Sequence, residues 1–216
     1  MTLESTGRGQ LTKRTFEAAS NRVAGCLHVL LITTGSVASV KAPLIVEGLL
    51  QYSTVRVQVA SSKPSLAFFN RNAVESQHQN EGVKVWTDDD EWESWGKIGD
   101  PILHIELRRW ADVVLIAPCS ANTMAKIANG ICDNLVTSLL RALAPTTPTI
   151  VFPAMNTLMY EHPLTAVHLK TIKEVIGYEV IACGEIGVGA MTEWRDIVRL
   201  VATRWHLVKE EAESAP

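Results

Sequence analysis

Long hydrophobic runs are missing from this chain, since no apolar stretch approaches the roughly 18 residues that a membrane-spanning helix needs. The N-terminus also lacks the apolar core of a secretory signal peptide, and Glu4 and Glu17 argue against a transit peptide. Neither sign of charge dominates, because 20 basic and 23 acidic residues leave a formal net charge of -3. We therefore expect neither a membrane nor a nucleic acid among the partners of this protein.

Cysteines are few and widely spaced, and the four of them form no C-x-x-C pair: Cys26, Cys119, Cys132 and Cys183. Neither a metal site nor a disulfide framework is predicted, and reduced thiols fit a cytoplasmic protein. The content of 47% hydrophobic and 20% charged residues is typical of a globular protein. Within the 216 residues we expect a disordered or frayed tail over 1–25, a single domain over 26–208 and a C-terminal tail over 209–216.

Continuous apolar runs alternate with helix-like segments along the chain, which predicts an α/β fold with a mostly parallel sheet covered on both sides. Strands are expected at 27–33, 55–60, 113–117 and 149–152, with weaker ones at 83–86 and 179–181. Helices are expected at 40–52, 66–70, 124–143, 164–175 and 193–208. The acidic run 88–91 is predicted to be a solvated loop, anchored by Trp92 and Trp95.

Short polar turns follow four of the predicted strands, at 34–39, 61–65, 120–123 and 153–156. Because the carboxyl ends of parallel strands meet at one edge of a sheet, these turns are expected to line one crevice. Helix N-terminal amides and serine hydroxyls there would suit a phosphate monoester, whereas the single Gly35 in the first turn fits neither a GxGxxG nor a Walker loop. Taken singly, the turns at 34–39 and 120–123 are better explained as ordinary helix caps, with Asn122 or Thr123 capping the helix at 124.

Two further features accompany these turns. His104 is a titratable group shortly before the third main strand. Residues 182–191, ACGEIGVGAM, are rich in glycine, which permits positive φ angles and close backbone approach. This segment is either a mobile flap whose Cys183 meets a substrate or a loose connection with an inert cysteine.

Six segments in this order resemble one family: TGSVAS, HIELRRWAD, APCSANT, ICDN, PAMNTLMY and ACGEIGVGAM. They are similar to the homo-oligomeric flavin-containing cysteine decarboxylases, and most similar to the branch of phosphopantothenoylcysteine decarboxylases and halotolerance proteins. The likeness covers about 27–201. It implies a flavodoxin-like (Rossmann-like) three-layer sandwich with a parallel sheet, FMN as cofactor, and a homo-oligomer, typically a trimer, whose sites are shared between subunits.

The resemblance also implies roles for individual residues. Those that match the FMN-binding positions are Gly35, Ser36, Val37, Ser62, Lys63, Ser65, Ser120, Ala121, Asn122, Thr123 and Ala154. His104 matches the catalytic histidine, and Cys183 matches the cysteine that donates a proton. Asn156 matches the asparagine that binds the substrate carboxylate, and Ala182 and Met191 match flap positions near the substrate.

The implied reaction is the FMN-dependent decarboxylation of 4′-phosphopantothenoylcysteine to 4′-phosphopantetheine in coenzyme A biosynthesis. Direct loss of CO2 from a cysteine carboxylate would leave an unstabilised carbanion, so the flavin is needed to oxidise the thiol-bearing carbon first. Arg108, Arg109 and Trp110, which follow His104, are residue types enriched at subunit interfaces.

Two alternatives share the fold. A halotolerance-type regulatory subunit that inhibits a Ser/Thr protein phosphatase, with weak or no decarboxylase activity, would suit the short segment 177–181, which lacks the family's proline- and lysine-containing stretch. The C-terminal acidic run, KEEAE, is shorter than the tails of such regulators. A peptidyl-cysteine decarboxylase is disfavoured because the ACG-x-x-G-x-G-A-M motif fits the coenzyme A branch better.

Overall fold

A parallel six-stranded sheet forms the centre of the computed structural model, which describes residues 14–182 and 189–209. The strands are β1 (Leu27–Thr33), β2 (Val55–Ser61), β3 (Val85–Trp86), β4 (Val113–Cys119), β5 (Thr149–Pro153) and β6 (Glu179–Val180). Their order across the sheet is β3-β2-β1-β4-β5-β6, and all five pairings are parallel. This is the strand order of a doubly wound Rossmann-type sheet, and it confirms the predicted fold class.

The inner strands are apolar because helices cover both of their faces. All seven residues of β4 are buried, and β1 is buried from its second residue onward. At the centre of the sheet Leu31 pairs with Val59 of β2 on one side and with Leu115 of β4 on the other. Such strands read as continuous hydrophobic runs, which is why their positions could be predicted.

Ten α-helices flank the sheet in the described ranges: α1 (Ala18–Asn21), α2 (Ala42–Leu50), α3 (Arg71–Gln77), α4 (Asp88–Ser94), α5 (Leu103–Trp110), α6 (Ala121–Asn129), α7 (Leu135–Ala142), α8 (Thr157–Glu161), α9 (Pro163–Lys170) and α10 (Trp194–Arg204). One hydrophobic core contains α5, α6 and α7, and the other, on the opposite face, contains α2 and α10. Across residues 14–182 and 189–209, the helices are too short or too polar to cross a bilayer.

The segment 14–25, expected to belong to a disordered or frayed tail, instead packs against the domain. Phe16 is buried and contacts the rings of Trp86 and Trp110 edge-on. The backbone N–H of Ala18 donates a hydrogen bond to the Glu106 carboxylate at 2.9 Å. The apolar ring and this specific polar contact hold a segment that has no periodic pattern of its own, so the structured part begins before residue 25.

The single helix expected over 124–143 is two helices. Gly130 has a φ of +70° and ends α6 in the left-handed conformation, which glycine adopts without steric cost. Asn134 then caps α7, because its side-chain oxygen accepts a hydrogen bond from the backbone N–H of Thr137. The Thr137 hydroxyl in turn accepts from the backbone N–H of Asn134, which completes a capping box. The predicted helix at 66–70 is also misplaced, since a 3₁₀ turn spans Lys63–Ala67 and α3 follows it.

The acidic run at 88–91 was predicted wrongly as a solvated loop, because it forms the first turn of α4. Thr87 and Asp90 make a capping box, in which the Asp90 carboxylate accepts from the Thr87 backbone N–H at 2.8 Å. Acidic residues are also favoured in a first turn by the helix dipole. The tryptophans do not anchor the segment, since Trp92 is 78% exposed and Trp95 is 49% exposed.

Candidate active site

A crevice of about 590 Å³ opens at the carboxyl ends of the central strands. Strands β1 and β4 are neighbours there although β2 and β3 lie between them in the chain, so this is the point where the strand order reverses and ligands bind in such sheets. The lining residues come from the loops after β1, β4 and β5, from Phe68 and from the segment that precedes α10: Gly35, Ser36, Val37, Ala38, Ser120, Ala121, Asn122, Ala154, Met155, Asn156, Met159, Gly189, Ala190 and Met191.

Thr34 joins the first two of these loops. Its buried hydroxyl donates to the carbonyl of Pro118 and accepts from the backbone N–H of Ser120, with both distances 2.8 Å. Ser120 in turn caps α6 by accepting from the backbone N–H of Thr123. The capping residue is therefore Ser120, and neither Asn122 nor Thr123 serves this role.

The turn after β2 packs directly against the Gly35 loop. A Cβ atom at Gly35 would lie 2.8 Å from the Cβ of Pro64, so only glycine allows this approach. The Ser62 hydroxyl oxygen is buried and has no hydrogen-bond partner within the described ranges. Ser65 is buried too, but its hydroxyl donates to the Ser62 carbonyl at 2.7 Å. Lys63 is exposed, and none of the three predicted positions Ser62, Lys63 and Ser65 lines the crevice.

The turn after β5 is fixed from two sides. Ala154 donates its backbone N–H to the carbonyl of Cys119 at 2.9 Å, and Met155 donates to the carbonyl of Gly189 at 2.8 Å. Gly189 has a φ of +94°, and a Cβ there would lie 2.6 Å from the Met155 carbonyl oxygen. Asn156 caps α8 by accepting from the Leu158 backbone N–H through Oδ1, which leaves its side-chain N–H₂ as a donor.

Of the remaining predicted site residues, one lines the crevice and two do not. Met191 lines the crevice. Thr123 is buried, its hydroxyl accepts a hydrogen bond from the Ser120 hydroxyl, and it does not line the crevice. Ala182 is exposed and is not part of the lining. Cys183 lies outside the described residues.

His104 stands in the first turn of α5 and is not among the residues that line this chain's crevice. Its ring Nδ1 lies 2.7 Å from Oε1 of Glu91, and its backbone N–H donates to Oε2 of Glu91 at 3.1 Å. Glu91 belongs to α4 and is 8% exposed. Glu91 was not among the predicted site residues because residues 88–91 were expected to be solvated, although the T-x-x-D spacing of Thr87 and Asp90 signals a helix start.

Across 14–182 and 189–209, no three or more histidine, cysteine, aspartate or glutamate residues are grouped so as to hold a metal ion. The polar groups of the crevice lining are backbone amides, the hydroxyls of Ser36 and Ser120, and the side-chain amides of Asn122 and Asn156.

Comparison with known families gives a match to the family named Flavoprotein over residues 17–206. The chain belongs to the Flavoprotein family. A phosphopantothenoylcysteine decarboxylase of Arabidopsis thaliana is 46% identical to this flavoprotein over 82% of the chain and 85% of the relative. A Schizosaccharomyces pombe protein named "Probable thymidylate synthase" is 49% identical over 83% of the chain, which spans only 29% of that longer protein.

Solved structures agree with this flavoprotein in fold and in sequence. HAL3 from Cryptococcus neoformans is 52% identical, with a TM-score of 0.76 over 83% of this chain and 96% of that one. The FMN binding protein AtHal3 is 44% identical, with a TM-score of 0.74 over 83% of this chain and 97% of that one. The family assignment made from the six motifs is thus confirmed.

Proposed function

We propose that this flavoprotein binds FMN in the crevice and decarboxylates 4′-phosphopantothenoylcysteine to 4′-phosphopantetheine, a step of coenzyme A biosynthesis. The observation that carries the proposal is the convergence of three small-residue loops at the point where the strand order reverses, with residues 35–38, 120–122 and 154–156 in one crevice. The names of the similar proteins, a phosphopantothenoylcysteine decarboxylase and an FMN binding protein, support the same reading.

The residues present fit FMN. A volume of about 590 Å³ is ample for a cofactor of this size. The loop Gly35, Ser36 and Val37 packs on the turn that contains Ser62, whose buried hydroxyl oxygen still lacks a partner in the described ranges and suits a phosphate oxygen. Lys63 would add positive charge near it. The residues that would hold the rest of FMN are Ser120, Ala121, Asn122, Ala154 and, through its support of Ser120, Thr123.

When bound, FMN would supply the reversible two-electron oxidation of the thiol-bearing carbon, which makes loss of CO2 possible. Asn156 would hold the substrate carboxylate through its side-chain N–H₂, because its Oδ1 is already used as a helix cap. His104 would accept the proton of the substrate thiol, and Cys183 would return a proton at the end of the reaction. Ala182 and Met191 would contact the substrate from the segment around Cys183.

The site would be completed by a neighbouring copy of the chain in a homotrimer. His104 does not line its own chain's crevice, which is what a site shared between neighbouring chains would predict. Large apolar side chains beside it in the sequence are exposed: Trp92 and Trp95 at 78% and 49%, and Ile98 at 96%. Exposed aromatic and aliphatic groups of this kind mark protein–protein contact surfaces.

The first test is the reaction itself. The purified protein should be yellow, with about one FMN per subunit, and should release CO2 from 4′-phosphopantothenoylcysteine. Asn156→Ala should retain the flavin spectrum and lose most of the turnover. A protein that stays colourless after FMN is added, or a flavin-loaded protein that releases no CO2, would refute the proposal.

Mixing of variants tests the shared site. His104→Ala and Asn156→Ala should each be inactive alone, and a mixed oligomer should regain about a quarter of the wild-type sites if each site pairs His104 and Asn156 from different chains in a cyclic assembly. A demonstrably mixed oligomer with no activity would place both residues in the site of one chain. The wild-type mass in solution tests the trimer independently.

A regulatory subunit of a Ser/Thr protein phosphatase is the second candidate. The exposed Trp92, Trp95 and Ile98 could serve such a partner as well as a second copy of the chain. The two functions separate cleanly, because the regulator would bind and inhibit a phosphatase catalytic subunit while the flavin-loaded protein released little or no CO2. Efficient CO2 release without phosphatase inhibition would remove this candidate.

A further inference from the structure

We infer that Glu91 is a positioning residue that holds the His104 ring in the tautomer with hydrogen on Nδ1, so that Nε2 is the nitrogen free to take a proton. This inference deepens the proposed function, because it rests on the proposed role of His104 as the base. It assigns a role to α4, an element whose sequence had suggested only a solvated loop.

Glu91 contacts His104 at two points, through its two carboxylate oxygens. One oxygen of Glu91 lies 2.7 Å from the His104 ring Nδ1, and the other accepts from the His104 backbone N–H at 3.1 Å. Glu91 is only 8% exposed, so water competes little for these oxygens. The contact with the backbone N–H fixes the start of α5, and the contact with Nδ1 fixes the orientation of the imidazole ring.

Two further contacts hold the glutamate in place. The capping box of Thr87 and Asp90 fixes the first turn of α4, which contains Glu91. Arg71 donates to both oxygens of Asp90, at 2.8 and 2.7 Å, and so secures that first turn. The carboxylate of Glu91 therefore reaches His104 from a firmly tethered helix.

The tautomer follows from donor and acceptor types. An ionised carboxylate only accepts hydrogen bonds, so Nδ1 must carry hydrogen at 2.7 Å from Glu91. In the neutral ring Nε2 then keeps its lone pair. When the substrate S–H bond breaks and an Nε2–H bond forms, a thiolate and an imidazolium result, and the adjacent Glu91 carboxylate stabilises the imidazolium without taking up the proton.

Substitution of Glu91 by glutamine should invert this arrangement. An amide has one accepting oxygen and one donating nitrogen, whereas the His104 backbone N–H is always a donor. The glutamine oxygen therefore faces that N–H and its N–H₂ faces Nδ1, which forces hydrogen onto Nε2. The side chain keeps its shape, but the ring presents a donor where the proposed reaction needs an acceptor.

The experiment uses the FMN-loaded oligomer with ¹⁵N-labelled histidine at a pH where the ring is neutral, and identifies the His104 signals by their loss in His104→Ala. Wild type should show the Nδ1–H tautomer and E91Q the Nε2–H tautomer. The kcat of E91Q should fall roughly 10²–10⁴-fold, as expected for loss of an oriented general base, with little change in KM. Glu91→Asp, which keeps an acceptor-only group, should retain the wild-type tautomer and recover part of the kcat.

Glu75→Gln is the matched control. Glu75 is also 8% exposed, and its carboxylate likewise accepts from a backbone N–H, that of Val85 at 3.0 Å, and from an arginine, Arg14. It lies on α3 and shares Arg71 with Asp90, whereas the hydrogen bonds of His104 described above go to Glu91. E75Q therefore also tests whether a weaker Arg71 network by itself changes the His104 tautomer. E75Q should lose stability as any buried carboxylate variant does, yet keep the His104 tautomer, the flavin spectrum and the kcat of the folded protein.

Several outcomes would overturn the inference. An Nε2–H tautomer in wild type contradicts it whatever the variants do, so it stays testable even if E91Q fails to fold. A folded E91Q with unchanged tautomer, or with kcat within about twofold of wild type, does the same. If wild type releases no CO2, the proposed function fails, while the tautomer comparison still decides whether Glu91 sets the state of the ring.

Discussion

Replacement of Thr34 by valine tests how the crevice is held together. The change keeps the branched shape of the side chain and removes a buried hydroxyl that makes two hydrogen bonds of 2.8 Å. The Pro118 carbonyl and the Ser120 N–H would both lose their partner. A buried polar group left unpaired costs about 1–3 kcal/mol, so the two together cost about 2–6 kcal/mol. This is a large part of the usual stability of about 5–15 kcal/mol.

The free energy of unfolding, from urea denaturation, measures the stability cost, and titration with FMN measures the effect on the crevice. Thr149→Val is the control, because Thr149 is also buried but donates a single bond, to Thr147, at the end of β5 away from the crevice. That variant should lose about 0.5–1.5 kcal/mol and keep its affinity for FMN. If Thr34→Val cost no more than Thr149→Val and left the FMN affinity unchanged, the Thr34 bridge would not be what joins the two loops.

Three further predictions concern single residues. In Gly189→Ala the new alanine must adopt a φ of +94°, and its Cβ would lie 2.6 Å from the Met155 carbonyl oxygen. This backbone strain costs about 1–3 kcal/mol, so FMN binding at the adjacent crevice should weaken about tenfold. An unchanged Kd for FMN would contradict this. Burial raises the pKa of Cys119 to about 12, so in native protein at pH 8 a thiol reagent should modify the exposed Cys132 and leave Cys119 intact, as peptide mapping can verify. Burial also raises the pKa of Glu75, but hydrogen bonds from Arg14 and a backbone N–H lower it more, leaving the native pKa below the usual value. Wild type should therefore exceed Glu75→Gln in its free energy of unfolding by a constant amount above about pH 5, and this difference should shrink as the pH falls through the lowered pKa. Urea denaturation of both proteins at each pH measures the difference, and a difference that does not change with pH would contradict the prediction.

The sheet could be predicted from the sequence because burial on both faces leaves a strong local signal. Strand β1 was expected at its observed bounds, and the expected β2, β4 and β5 differ from the observed strands only at their last residues. Helix bounds were less predictable. A continuous periodic pattern hid the break at Gly130, where a left-handed φ rather than a loss of apolar residues ends α6.

The crevice was predictable for the same reason as the sheet, since its loops simply follow the buried strands. What could not be read from the sequence is pairing between distant side chains and backbone. Thr34 and Ser120 are far apart in the chain and meet only because β1 lies beside β4. Glu91 and His104 stand on consecutive helices, but their contact depends on how α4 and α5 are oriented. The roles of the predicted binding residues, and of Cys183, stay predictions.

Both edges of the sheet are short, and this limits how copies of the chain can come together. Edge strands β3 and β6 contain two residues each. At β3 the backbone N–H of Val85 is already taken by the Glu75 carboxylate, and β6 carries the charged Glu179, paired with Arg204. Edges of two residues offer an incoming strand few backbone groups to pair with, and at β6 pairing would also bury a charged side chain. Within residues 14–182 and 189–209, open-ended growth by strand addition, the route to amyloid-like fibres, is therefore disfavoured at both edges. Contacts between copies would then be made by helices and loops and could close into a finite ring.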